Sequence, residues 1–113
     1  MICDYCRKDF SDIIWENGKT YKGIDRHHNP PEFISNFLNE KWNGEFYNLC
    51  RKHHRELHDE IIKILNKHSN SFKFINSEYY ILQKMTPRQI QEAKEEIIIF
   101  TREWLKNGNS KTT

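Results

Sequence analysis

Hydrophobic positions along the chain change their period near residue 51. Before it, apolar residues come in short clusters separated by turn formers; after it, they recur at helical intervals. Ile13-Ile14-Trp15 and Thr20-Tyr21-Lys22 flank Asn17-Gly18, and Asn-Gly between apolar runs is a strong hairpin signal. Gly23-Ile24-Asp25-Arg26 leads into His27-His28-Asn29-Pro30-Pro31. The two prolines forbid regular structure over residues 29–31 and stiffen the loop that follows. Phe33, Ile34, Phe37 and Leu38 share one face of a short helix over residues 31–38. Trp42-Asn43-Gly44 reads as a turn, and residues 46–49 as a short strand entering Cys50.

From about residue 51 to residue 67, Leu57, Ile61, Ile64 and Leu65 form one apolar stripe on a helix. His68-Ser69-Asn70-Ser71 ends it. Residues 72–85 suit either short strands, at Phe72/Phe74 and residues 79–82, or an ordered loop. Thr86-Pro87-Arg88-Gln89 opens a last helix, with Thr as N-cap, Pro at the first helical position and Gln at the third. Its buried face is Ile90, Ala93, Ile97, Phe100, Thr101 and Trp104. It should run to about Lys106 and stop at Gly108. The sum is a single α+β domain: a core over residues 1–67, a helical extension over 68–107 and a flexible tail over 108–113.

Composition alters this picture. Only 36% of the 113 residues are hydrophobic and 30% are charged, little for a chain this small to bury. Something must staple the fold, and three Cys with six His are the material for it. The odd Cys count argues against a closed disulfide framework. No run approaches the ~18 apolar residues of a membrane span; residues 97–100 are among the longest. Met1 is followed at once by a Cys-rich turn, which does not read as a secretory signal, and a reducing cytoplasm is expected. The Asn, Ile and Lys content suits a prokaryotic cell or a phage-infected host. The net charge of +2 permits a nucleic-acid partner without requiring one.

Cys3-Asp4-Tyr5-Cys6 and Cys50-Arg51-Lys52-His53 are two half-sites of matching spacing. Each lets two side chains of a turn converge on one ion, at about 2.3 Å for sulfur and about 2.0 Å for nitrogen. A structural Zn2+ held by Cys3, Cys6, Cys50 and His53 would tie the N-terminus to the start of a helix. The competing reading is three free, buried thiols. A redox role for the CxxC lacks the βαβ pattern that accompanies it.

His54 and His58 lie four apart on one helix face, a spacing that lets two imidazoles share a cation. His53 is rotated about 100° from His54, so one can serve the zinc while the other faces a second centre. Asp25 is either an orienter of a histidine ring or a strand-end residue. Trp15 and Trp42, like Tyr79-Tyr80, would stack on bases or pack in turns. His68 reads as a satisfied residue outside any site.

Three segments together resemble the HNH endonucleases: Cys3-Asp4-Tyr5-Cys6, Ile24-Asp25-Arg26-His27-His28-Asn29-Pro30, and Asn48-Leu49-Cys50-Arg51-Lys52-His53-His54-Arg55-Glu56-Leu57-His58. The resemblance spans roughly the first 60 residues. It implies a ββα-metal core on a treble-clef-like zinc knuckle, and a hydrolase that cuts DNA phosphodiester bonds. By this resemblance His28 is the general base; a histidine suits that role because its ordinary pKa of ~6.5 lies near working pH. His27, His54 and His58 would hold the catalytic divalent cation (Mg2+, Mn2+, Ni2+ or Zn2+). Asn48 would orient the base, with Asn43 as the other candidate. Arg26, Arg51 and Arg55 are near enough in sequence to hold phosphates.

The chain departs from the family pattern in three places: His53 replaces the commoner Cys, the middle Asn is displaced, and two prolines lengthen the loop after His28. Three functions follow as expectations. The first is a metal-dependent HNH endonuclease. The second is a non-catalytic zinc-binding treble-clef module for nucleic acid or protein. The third is a nuclease given its specificity by a partner subunit. The last helix has enough apolar surface for a homodimer contact, although packing on its own core accounts for it equally.

Overall fold

The computed structural model describes the backbone of residues 1–111 and the side chains of residues 1–108. Its elements in chain order are β1 (Ile13–Ile14), β2 (Thr20–Tyr21), β3 (Ile24–Asn29), α1 (Glu32–Phe37), β4 (Glu45–Cys50), α2 (Arg51–Ser69), α3 (Glu78–Gln83) and α4 (Pro87–Lys111). The architecture is α+β. β1 and β2 form the hairpin around Asn17-Gly18, where Gly18 takes a positive φ of 81°, the conformation such a turn favours. β3 and β4 pair antiparallel along their whole length, from Ile24 opposite Cys50 to Asn29 opposite Glu45. Ordered pairing thus reaches Asn29, and the prolines stop it only from Pro30 onward.

α2 leaves β4 directly and buries Leu57, Ile61, Ile64 and Leu65, the stripe the sequence places there. Asn70 closes it in a left-handed conformation (φ 56°). The core joins these residues to Ile24, Ile34, Leu49, Ile81, Leu82, Ile90 and Ile97. α4 begins with the expected capping box: the Gln89 N–H donates to Thr86 Oγ1 at 3.2 Å and the Thr86 N–H to Gln89 Oε1 at 2.9 Å. α4 also reaches the sheet, where Asn29 Nδ2 donates to the Ile98 carbonyl at 3.2 Å. Among the described residues no helix is long and apolar enough to cross a membrane.

Two sequence expectations are corrected. Residues 72–85 hold neither strands nor only a loop, because residues 78–83 form α3. Ser77 caps it by accepting from the Tyr80 N–H, and Ile81 and Leu82 bury beneath it; six residues are too few to show a helical period. α4 does not stop at Gly108 but continues to Lys111. Gly108 serves packing instead of termination, because a Cβ there would overlap the Tyr5 ring. Tyr5 in turn stacks on Trp104 at 4.0 Å and touches the His53 ring at 4.5 Å. The end of α4 is thereby laid against the Cys3-Cys6 turn, so the tail expected from 108 is helix as far as 111, and residues 112–113 lie outside the described residues.

Candidate metal centres

The Cys3-Cys6 turn is built by backbone. The Arg7 N–H donates to the Cys3 carbonyl at 2.9 Å and the Cys3 N–H to the Lys8 carbonyl at 3.0 Å, with Arg7 left-handed (φ 61°). Two further bonds fasten this turn to β4. The Asp4 N–H donates to the Asn48 carbonyl, and the Asn48 N–H to Asp4 Oδ2, both at 2.7 Å. Since Asn48 is two residues before Cys50, the clasp brings the two half-sites together. The ligand atoms of Cys3, Cys6, Cys50 and His53 all lie within 4.8 Å of one another, close enough to hold one metal ion. Cys50 Sγ and His53 Nδ1 are 3.0 Å apart.

The electrostatics of this cluster match a cation. Burial pushes the Cys3 thiol up, but backbone N–H groups of Cys6, Cys50 and Tyr5 outweigh it and hold Cys3 below its ordinary value. Burial pushes the Cys50 thiol up to about 11, with the neighbouring Cys3 adding to the rise. His53 is lowered by burial and by Lys52 and Lys8, against an opposing pull from Glu56, which favours the neutral, ligand-competent ring.

The second cluster joins β3 to α2. His27, His54 and His58 also have ligand nitrogens within 4.8 Å of one another. Carboxylates hold the far side of two of these rings: Asp25 Oδ2 lies 3.2 Å from His54 Nδ1, and Glu78 Oε1 lies 2.6 Å from His58 Nδ1. A carboxylate only accepts, so each Nδ1–H donates and each neutral ring turns a bare Nε2 inward. Those two Nε2 atoms stand 3.0 Å apart. That separation suits one proton shared between the rings, or two nitrogens bound at about 90° to one ion at about 2.1 Å, which stand about 3 Å apart.

The third ring completes the case. His27 is buried, and its Nε2 has no hydrogen-bond partner. Burial, followed by the nearby His58, His54 and His28, lowers its pKa from 6.5 to about 3. A buried, neutral, unpartnered nitrogen aimed among two others fits a cation ligand.

His28 follows His27 on the strand and so projects from its opposite side. Its Nε2 meets Glu32 Oε1 at 3.0 Å, and its ring lies edge-on to Trp42 at 5.1 Å. Both histidines nevertheless line one cleft of about 190 Å³ with His54, His58 and Arg26. Arg51 and Arg55 line the adjoining cleft, about 430 Å³, with Asp25, His54 and His58. Asn48 stands opposite Arg26 in the register, with its main chain committed to Asp4; Asn43 lies in an exposed irregular segment before β4, where the expected turn over residues 42–44 does not form. Arg26 lies over the Phe46 ring at 4.4 Å.

The remaining candidates separate cleanly. Trp42 packs against the loop after β3, donating Nε1–H to the Pro30 carbonyl at 2.7 Å. His68 pairs with Glu96 at 3.0 Å, away from both clusters. Tyr79 and Tyr80 are exposed, with Tyr79 against Phe37. Asp25 takes the orienting role. Glu78 and Glu32 were not singled out from sequence, and their partners are distant or unpatterned; only a carboxylate in the first turn of a short helix marks Glu78.

Compared with protein-family models, curated proteins and solved structures, the chain matches none of them.

Proposed function

We propose that the protein is a divalent-metal-dependent endonuclease of the HNH kind that hydrolyses DNA phosphodiester bonds. The observation that carries this reading is the convergence of His27, His54 and His58, with carboxylates behind two rings and an unpartnered Nε2 on the third. In this reading Cys3, Cys6, Cys50 and His53 hold a structural zinc, and the three-histidine cluster holds the working cation.

A cation there would neutralise charge on the scissile phosphate and stabilise the leaving 3′-oxygen. The chain's own groups do the rest. His28, on the shared cleft, takes the proton from the attacking water. Its Glu32 partner is 58% exposed, so that contact can open and leave the ring nitrogen to the attacking water. Arg51 and Arg55, beside His54 and His58, grip the flanking phosphates. Asp25 and Glu78 keep the ligand rings turned.

A zinc-bearing module that binds nucleic acid or protein without cutting is favoured by one observation: the His28 Nε2 is already engaged by Glu32. Activity and metal content separate the two. Purified protein incubated with supercoiled plasmid and Mg2+, Mn2+ or Ni2+ should nick it. His28→Ala should slow nicking by at least about 100-fold while keeping its bound zinc. No nicking with any of these cations sinks the nuclease reading, and an unimpaired His28→Ala sinks the assigned base.

A further inference from the structure

On the other side of the α2 N-terminus from the three-histidine cluster lies a second groove, about 430 Å³ in volume. Lys8, Lys22, Arg51 and Lys52 line it, with Phe10 and Ile13 among its apolar residues and no Asp or Glu in its wall. The cations are exposed, and none of the four pairs with a carboxylate among the described residues. Lys19, Arg26, Lys41, Arg55, Lys73 and Lys84 also make no ion pair among the described residues, so what distinguishes the four is that they share one wall without an acid. Lys67, Lys94 and Arg102 each meet a carboxylate at 3.0 Å or less. The first turn of α2, which supplies Arg51 and Lys52, also contains no acid.

The zinc centre does not account for this charge. Three thiolates around one divalent ion leave a single net negative charge, which one lysine offsets. The remaining cations are free to meet an external polyanion.

The β1–β2 hairpin borders the same groove through Ile13. Both of its strands are exposed, with Ile14 at 75% and Trp15 at 57%. A two-stranded ribbon covered on neither face is marginal by itself. Tyr21 links it to the groove, lying 5.3 Å from Trp15 and 5.9 Å from the Arg51 guanidinium. Arg51 lines this groove and also the cleft holding His54, His58 and Arg55. Arg51 therefore joins the groove to the cleft, whose wall also carries Asp25.

We infer that this groove and hairpin form a second nucleic-acid contact, which holds the phosphodiester backbone of DNA as it leaves the three-histidine cleft. Lys8, Lys22 and Lys52 contact phosphates, Arg51 bridges to the cleft, and Trp15 packs against the bound strand. The inference rests on the nuclease reading for its substrate, but not for its chemistry, because neutralising phosphates needs no cutting.

The test is binding of a labelled DNA duplex, followed by fluorescence anisotropy across a salt series with no Mg2+ or Mn2+ added. A triple variant, Lys8→Gln with Lys22→Gln and Lys52→Gln, should bind at least about 30-fold more weakly near 0.1 M salt, with the log–log salt slope reduced by about 2 to 3. Trp15→Ala should weaken binding by about tenfold. A control of equal charge change, Lys63→Gln with Lys73→Gln and Lys84→Gln, should bind like wild type. Zinc content and far-UV circular dichroism establish that each variant is folded. Wild-type affinity and slope in the folded groove variant overturn the inference, as does a wild type that binds no DNA. Groove-dependent binding without nicking under any cation leaves the groove standing and removes the nuclease reading. Nicking with groove-independent binding does the reverse.

Discussion

His58 and Glu78 meet through Nδ1 and Oε1 at 2.6 Å, across twenty residues of chain. The contact draws the helical extension into the second metal cluster, because Glu78 stands in the first turn of α3. It fixes the ring that His58 presents to His54 and makes its inner nitrogen a stronger donor. α3 therefore takes part in building the site as well as covering the core.

Glu78→Gln should weaken cation binding at the three-histidine cluster by about 10- to 100-fold. Glutamine still accepts from Nδ1–H but lacks the charge. Competition against a metal indicator, on protein already carrying its zinc, measures the loss. Unchanged affinity would mean that Glu78 only packs.

Acid should destabilise the fold through His27. Its folded pKa is about 3 and its ordinary value 6.5, so between these limits the unfolded chain holds the extra proton. Stability contributed by this group is therefore complete above about pH 6.5, falls as pH falls, and levels off near pH 3. Urea unfolding at pH 7 and pH 5 should show the decline. His27→Gln should show a smaller one, and the difference isolates this ring from thiolate protonation at the other cluster.

If Cys3, Cys6, Cys50 and His53 hold the proposed zinc, its loss should unfold much of the first half. The Cys3-Cys6 turn is otherwise held to β4 by the two Asp4–Asn48 bonds and to α4 by Tyr5. Cys6→Ser should drop bound zinc below one per chain and lower the melting temperature by at least about 10 °C. Calorimetry with elemental analysis checks both. A variant that keeps its melting temperature without zinc contradicts the staple.

Gly108→Ala should destabilise the protein by about 1–3 kcal/mol, opposite in sign to the usual effect of this change in a helix. The added Cβ would enter the Tyr5 ring and break its stack on Trp104. Chemical denaturation measures the sign directly.

Much of this was readable in the sequence because it depends on local period or spacing. The α2 stripe, the Asn-Gly hairpin and the Thr86 capping box need only nearby residues, and each stands where the pattern puts it. The cysteine grouping and the His54–His58 pair were legible because their spacings mark them, whereas His27 joined that pair only through the resemblance to HNH endonucleases. What escaped depends on distant partners. Glu78 gains its meaning from a histidine twenty residues earlier. Gly108 looks like a helix stop until Tyr5, near the other end of the chain, is seen against it. α3 is too short to declare a period, and its capping serine resembles any loop serine. The clasp of the Asn48 main chain on Asp4, which aligns the half-sites, was not readable.

The unpartnered Nε2 of His27 has a consequence for how this sequence can change. A buried nitrogen without a partner costs about 1–3 kcal/mol, and a leucine or phenylalanine in its place would satisfy the core better. The fold thus carries a point of local frustration where a purely structural protein would have relaxed it. Drift toward greater stability would erase that histidine early, and only a use for the nitrogen opposes the drift.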